Sequence, residues 1–337
     1  MIAGFFPGQG SQSVGMGREL YDEFTVFRQT IEEASDTLGL NLKTLLFEGP
    51  ESDLTLTENA QPAILAVSTG CFRVAESVLG LKTSVHLGHS LGEYSALVAS
   101  EAFPFADAIA WVRVRGQAMQ MAVPLGQGTM AAVIGADDAD VEAWCREAGE
   151  AARALRTPGP AGVETTVKCA VECANYNAPG QVVVSGSVDA VELFEKTVSS
   201  KGIRGVMVKR LAVSAPFHSS LMAPARGRMM EEFASARGRG LPEALKTPYI
   251  PNRTAIPTSE PGVVFPLLEE QVDHSVLWSQ SVSHLLDSGV SRAIEFGPGK
   301  VLQGLAKRIA KSKNASFETI PVFDLETLKA AEKGIRP

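Results

Sequence analysis

The sequence predicts an α/β protein: a mostly parallel sheet covered by helices on both faces, with a smaller ferredoxin-like α+β unit inserted into it. Three observations lead there. Short strand-like runs alternate with stretches of helical periodicity, the pattern of parallel strands joined by crossover helices. After about Gly128 the order changes to strand, helix, strand, strand, helix, strand, the βαββαβ succession of a ferredoxin-like unit. At 337 residues, 45% hydrophobic and 20% charged, the chain can bury a large core and has no disordered or fibrous bias.

Taken in order, Ile2–Phe6 reads as the first strand, followed by a Gly-rich turn and the helix Glu19–Ala34, where Leu20, Phe24, Phe27 and Ile31 recur at helical spacing. Pro62–Leu79 is an apolar helix, Val85–Gly88 a short strand and Leu91–Ala99 a buried helix. Ligands of such sheets gather at the carboxyl ends of the strands. The inserted unit comprises strand Thr129–Gly135, helix Asp138–Ala151, strands Val171–Tyr176 and Gln181–Gly186, helix Ala190–Ser200 and strand Val206–Val213. Arg156–Val167, with Pro158, Gly159, Pro160 and Gly162, reads as a loop within it. Helix Pro224–Arg237, a turn-rich stretch Pro242–Pro266, helix Leu277–Leu286, strand Ala293–Phe296 and a helix ending near Lys311 follow. Residues 1–127 and 207–325 are assigned to the core, 128–206 to the insertion and 326–337 to a polar, poorly packed tail.

Composition narrows the function classes. The opening MIAGFFPGQG has no Lys or Arg before its apolar run, and Gly and Pro interrupt that run, so it fails as a secretory signal. No stretch approaches the about 18 unbroken apolar residues of a membrane helix. A cytoplasmic monomer, away from membranes, is expected. A net charge of −7 argues against nucleic acid as a partner. Between Lys201 and Met230, however, there is no Asp or Glu, while Lys201, Arg204, Lys209, Arg210, Arg226 and Arg228 are basic, a face that suits an acidic partner or solvated side chains. Cys71, Cys145, Cys169 and Cys173 are too few and too irregular for a disulfide framework; reduced thiols and no metal are expected.

The chemistry centres on GHSLG at 88–92. It fits GxSxG, and a short apolar strand before it and an apolar helix after it are the context of a nucleophile elbow. The sharp turn strains Ser90, and a Cβ at position 88 or 92 would collide with the neighbouring strand or helix. Ser90 then sits at a helix amino terminus, where free N–H groups can hold an oxyanion. A serine hydroxyl needs a general base. Of His86, His89, His218, His274 and His284, the first two are too near Ser90 in sequence to reach its hydroxyl across the elbow. His218, between an apolar strand and a helix, is best placed, with His274 the runner-up.

FPGQGSQ at 6–12, ENAQPAI at 58–64, GHSLGEYSALVA at 88–99, RVRGQAMQ at 113–120, NYNAPGQVVVSG at 175–186, PFHSSLM at 216–222 and EFGPGKVLQGL at 295–305 together resemble the malonyl-CoA:acyl carrier protein transacylases of fatty-acid synthesis, in order and at family-like spacing. The resemblance implies an α/β-hydrolase-like core with a ferredoxin-like insertion. It implies that Ser90 attacks the malonyl thioester, that His218 accepts its proton, and that the backbone N–H groups of Gln9 and Leu91 form the oxyanion hole. It assigns Arg115 to the malonyl carboxylate, which a planar guanidinium holds through two parallel hydrogen bonds; Arg113 is then the surface arginine. Gln61 and Asn177 fall in motifs bordering the acyl pocket and Phe217 at a position linked to malonyl preference. The backbone carbonyl that orients the histidine falls at Gln271. Here the sequence departs from the family, with Val272-Asp273-His274-Ser275 in place of an Asn-Pro pair, which leaves open a role for Asp273 beside His218.

The implied substrates are malonyl-CoA and acyl carrier protein, with no metal or redox cofactor. The basic run 201–228 is a candidate docking face for an acidic carrier. The same residues leave three rivals: the same transferase serving a polyketide pathway in trans, a serine thioesterase or esterase using an acid such as Asp189, and a catalytically silent carrier-binding module.

Overall fold

The computed structural model describes residues 1–155, 168–213, 215–238, 240 and 244–335. The chain begins with β1 (Ile2–Phe6), α1 (Arg18–Glu23), α2 (Thr25–Leu38), α3 (Leu42–Glu48), α4 (Glu51–Thr55), α5 (Thr57–Leu79), β2 (Val85–Gly88), α6 (Gly92–Ala99) and α7 (Phe105–Met121). It continues with β3 (Gly128–Ile134), α8 (Asp138–Leu155), β4 (Val171–Ala178), β5 (Gln181–Ser187), α9 (Val188–Ser200) and β6 (Met207–Arg210). Then come α10 (Ala223–Arg237), α11 (Val264–Asp273), α12 (Trp278–Asp287), β7 (Arg292–Phe296), α13 (Val301–Ser312), β8 (Glu318–Val322) and α14 (Leu325–Ile335).

β1 has apolar residues on both faces and is buried from Ala3 onward, which suits it to the interior of a parallel sheet. That sheet has the order β2-β1-β7-β8, every pairing parallel. Phe5 meets Trp278 edge to face at 5.3 Å on one side, and Phe6 lies 5.5 Å from Phe296 on the other. Such aromatic pairs contribute about 0.5–1.5 kcal/mol beyond the burial itself. The second sheet is antiparallel with the order β4-β5-β3-β6. α8 and α9 bury Trp144, Ala148, Phe194 and Val198 against it.

α5, at 23 residues, is long and apolar enough to cross a membrane, but its most apolar stretch, of mean hydropathy 1.3, is 72% buried inside the fold. Its apolarity serves the core. α7 crosses it closely because residue 116 is glycine: a Cβ there would lie 2.7 Å from the Cα of Glu58. This contact brings Arg115 of α7 to Gln61 of α5.

Several expectations need correcting. β6, which pairs with β3, is shorter than the strand expected over Val206–Val213. The helix expected over Glu19–Ala34 is two helices, broken at Phe24, whose backbone is extended (φ −109, ψ 122). β8 was not legible, because Pro321 speaks against a strand; it is an edge strand, where proline is tolerated. The tail is a packed helix: α14 rests on β8 with Leu328 and Ala331 buried. The loop expected over Arg156–Val167 lies outside the described residues.

Candidate active site

Ser90 occupies the turn between β2 and α6, with a left-handed φ of 51° that a non-glycine residue rarely adopts. The flanking glycines are steric necessities. A Cβ on Gly88 would fall 1.9 Å from the carbonyl carbon of Gly92, and one on Gly92 would fall 2.0 Å from the carbonyl oxygen of Phe6. Gly8 is pressed against the elbow in the same way, 2.5 Å from His89 O to its would-be Cβ. The Gly-rich turn after β1 and the elbow after β2 therefore meet backbone to backbone. Gln9 and Leu91 both line the cleft there, and among the described residues neither backbone N–H has an acceptor. The Gln9 carboxamide is tied back to Thr57 Oγ1 at 3.2 Å.

His218 lies 2.7 Å from Ser90 through Nε2, and its Nδ1–H donates to the backbone carbonyl of Gln271 at 2.8 Å. A carbonyl only accepts, so Nδ1 carries the proton and Nε2 is the free base facing the serine. Burial, and after it the nearby Arg115 charge, lowers the His218 pKa to about 3. The imidazole is thus neutral and ready to accept a proton. His218 also has a left-handed φ, 58°, held by the turn after it: Ser219 Oγ donates to Pro216 O, while Ser220 N and Oγ both donate to the Glu172 carboxylate on β4.

Arg115 is 1% exposed. Nη1 donates to Gln61 Oε1 at 2.8 Å, and Nη2 donates to Gln271 Oε1 at 2.8 Å and to Ser90 Oγ at 3.2 Å. Its Nε–H has no partner. A buried guanidinium with an unpaired donor is costly to keep, and here it stands directly beside the nucleophile. Arg113, one face away, forms an ion pair with Glu58 at 3.4 Å near the surface. Gln61 and Phe217 line the same cleft of about 1110 Å³ as Ser90, His218 and Arg115.

Three groups of residues singled out in the sequence lie away from the reacting atoms or are paired with other side chains. Asn177 does not line the cleft; its Oδ1 accepts from His89 Nε2 at 2.8 Å, which supports the elbow from behind, and Asn175 faces the cleft instead. Asp273 does not reach His218, whose Nδ1 is taken by Gln271; it pairs with Arg226 at 3.4 Å and with His274 Nδ1 at 2.6 Å. His274, held through Nδ1 by Asp273 and the Glu270 carbonyl, makes no hydrogen bond to Ser90, whose hydroxyl is met by His218. Of the basic run, Lys201 is bound to Glu147, Arg210 to Glu192 and Glu195, Arg226 to Asp273, and Arg228 to Glu231 and Glu232. Among the described residues only Arg204 and Lys209 of that run take no acidic partner.

Two residues escaped the sequence reading. Asn252 staples the elbow: its Oδ1 accepts from Ser90 N at 2.7 Å and its Nδ2 donates to Gly88 O at 2.6 Å. It sits in a turn-rich stretch with no pattern to mark it. Glu93, wholly buried on α6, accepts from Gln271 Nε2 at 2.8 Å and from Asn252 N at 3.1 Å. A lone carboxylate inside an apolar helix was the available signal. No group of three or more His, Cys, Asp or Glu able to hold a metal ion occurs among the described residues.

A strained serine against a neutral histidine, with a buried cation at hand for an anionic acyl group, defines a serine acyltransferase. Over residues 5–324 the sequence matches the acyl transferase domain family. It is 40% identical to the malonyl CoA-acyl carrier protein transacylase of Bacillus subtilis (strain 168), over 98% of this chain and 96% of that protein. A Bartonella henselae acyl-carrier-protein-S-malonyltransferase structure superposes with a TM-score of 0.87 at 40% identity, covering 99% of each chain. A malonyl-transacylase solved in complex with its type II PKS acyl-carrier protein gives 0.86 at 35% identity, also over 99% of each. The chain belongs to the acyl transferase domain family, among the malonyl CoA-acyl carrier protein transacylases.

Proposed function

We propose that this protein transfers the malonyl group of malonyl-CoA to the phosphopantetheine thiol of acyl carrier protein in fatty-acid synthesis, by a ping-pong route through a malonyl ester of Ser90. The observation that supports the reading most is Arg115: a buried guanidinium 3.2 Å from the nucleophile gives a free carboxylate a reason to enter.

Ser90 Oγ gives its proton to His218 Nε2 and attacks the thioester carbonyl. The backbone N–H groups of Gln9 and Leu91 receive the oxyanion, and their fixed donors cost no reorganisation at that moment. His218 returns the proton to the departing CoA sulfur. The carrier thiol then loses its proton to His218 and attacks the ester, and Ser90 leaves with that proton. Arg115 holds the malonyl carboxylate throughout, with Gln61 and Gln271 keeping the guanidinium in place and Phe217 beside the base shaping the acyl pocket. These are proton and acyl transfers, so the proposed route calls on no metal or redox cofactor. Pairing Arg115 with the malonyl carboxylate also offsets the charge that depresses His218, which makes the histidine a better base with substrate bound.

A thioesterase reading is less well supported, because the histidine leans on a carbonyl instead of an acid and Asp189 lies on α9 of the inserted unit. We read the two-sheet architecture as an α/β-hydrolase-like core with a ferredoxin-like insertion; the order β4-β5-β3-β6 with two covering helices supports the latter. A cytoplasmic setting fits this pathway. The test is labelling with radioactive malonyl-CoA. Label should appear on the wild type, be absent from Ser90→Ala, and be discharged by holo-acyl carrier protein much faster than by water. An unlabelled wild type overturns the reading.

A further inference from the structure

Arg115 and His218 come from different parts of the chain, yet both lean on one residue. Gln271 gives its backbone carbonyl to His218 Nδ1 and its side-chain Oε1 to Arg115 Nη2, each at 2.8 Å. Its carboxamide can do this in one orientation only. Arginine has donors alone, so Oε1 must face Arg115, and Nε2 must find acceptors on the other side. Those acceptors are Ser90 O and Glu93 Oε2, each at 2.8 Å.

We infer that Glu93 is a positioning residue for malonyl selectivity: one carboxylate oxygen locks the Gln271 carboxamide, and through it aims Arg115 at the acyl pocket while His218 stays on Ser90. Glu93 touches neither the Ser90 hydroxyl nor the histidine ring. Oε2 takes both hydrogen bonds, from Gln271 Nε2 and Asn252 N, and Oε1 takes none. The hydrogen bonding of this wholly buried carboxylate is thus concentrated on Oε2, the oxygen that holds Gln271.

The lock therefore needs an acceptor and not a charge. Burial raises the Glu93 pKa to about 7, opposed by Gln271, Asn252 and the Arg115 charge. The other titratable groups that sense it are the buried Tyr94 and Tyr249 hydroxyls. A carboxyl protonated on Oε1 presents the same Oε2 acceptor to Gln271. The selectivity set by Glu93 is thus carried unchanged through pH 7.

This inference rests on the malonyl-transfer reading, and the experiment separates the two. Single-turnover acylation of Ser90 in the full chain is measured with malonyl-CoA and with acetyl-CoA, for the wild type, Glu93→Ala, Glu93→Gln, Gln271→Leu and the Glu93→Ala/Gln271→Leu double variant. The leucine keeps the backbone carbonyl that serves His218. The malonyl-to-acetyl rate ratio should fall roughly tenfold in Glu93→Ala and in Gln271→Leu, and no further in the double variant, because the two act as a unit. Glu93→Gln, which keeps an acceptor at the Oε2 position, should restore the ratio and show the wild-type pH profile across pH 7. An unchanged ratio in Glu93→Ala, a Glu93→Gln variant as impaired as the alanine, or additive losses would overturn the inference. If Glu93→Ala does not fold, Glu93→Gln against Gln271→Leu decides: a reduced ratio in the glutamine variant overturns it. A wild type that does not prefer malonyl fails the functional reading instead.

Discussion

His218 Nε2 sits 2.7 Å from Ser90 Oγ across 128 residues of sequence, and both residues hold left-handed backbones to reach that distance. The strain is local and the contact is long-range, so the pair is kept by what surrounds it. Removing His218 should leave the elbow intact and remove only the proton acceptor. His218→Ala is expected to slow malonyl acylation by about 10²–10⁴-fold, the usual range for a general base. A stopped-flow burst of CoA release measures it, and a loss under tenfold would argue against the assigned base.

Arg115→Ala should separate acyl groups. Losing a charge-assisted pair to the substrate carboxylate costs about 3 kcal/mol, or roughly a hundredfold in malonyl transfer. Acetyl transfer should be spared or increased. Arg115 also depresses the His218 pKa, so its removal raises that pKa. The rate requires neutral His218 and falls as pH drops through that value. The acid limb of acetyl transfer should therefore move to higher pH in the variant. Equal loss for both acyl groups in steady-state assays would contradict the carboxylate role.

Asn252→Ala should cost both stability and rate. It leaves Ser90 N–H and Gly88 C=O without their partner inside the fold, a penalty of about 2–4 kcal/mol for the two. Thermal unfolding should shift down by several degrees with acylation slowed. A variant with wild-type stability would show that the staple is dispensable.

A carrier docking on the basic run would meet two side chains that no acid already engages. Arg204 and Lys209 are exposed and take no acidic partner among the described residues, whereas Arg210 is bound to Glu195 at 2.8 Å. Reversing Arg204 and Lys209 together should raise the KM for holo-acyl carrier protein and leave the malonyl-CoA acylation rate unchanged. An unchanged KM removes this face as the docking site.

Acid stability should show two regimes. His86 and His218 are held near pKa 3 against an ordinary 6.5, so the unfolded chain binds more protons below about 6.5 and stability falls with pH. Glu93 and Glu295 are raised to about 7 from 4.5, so over that window the folded chain holds more protons and stability rises as pH falls. These four oppose each other between about pH 6.5 and 4.5. The melting temperature should change little there and drop steeply below 4.5, as followed by circular dichroism.

The sequence by itself determined the local parts. β1 and β2 are legible at their observed boundaries because short apolar runs ending at a glycine-rich turn are local signals. The elbow at Ser90 was legible because only glycine fits on either side of it. His218 emerges as the best-placed base from its position between strand and helix, while the role of Arg115 comes from a motif shared with the family and that of Gln271 from its position in the family alignment. Tertiary structure decided what depends on contacts between distant segments. No pattern in a turn-rich stretch marks Asn252 as the staple of an elbow 162 residues away. Asn177 was assigned to the pocket and instead supports His89, since the face a strand residue presents depends on register with its neighbours. Half of the basic run, Lys201, Arg210 and Arg226, pairs with acids from other elements, among them Glu147 of α8. The site's chemistry is written in short motifs. Its aim, from Glu93 through Gln271 to Arg115 and His218, is set by hydrogen bonds between segments that only the folded chain brings together.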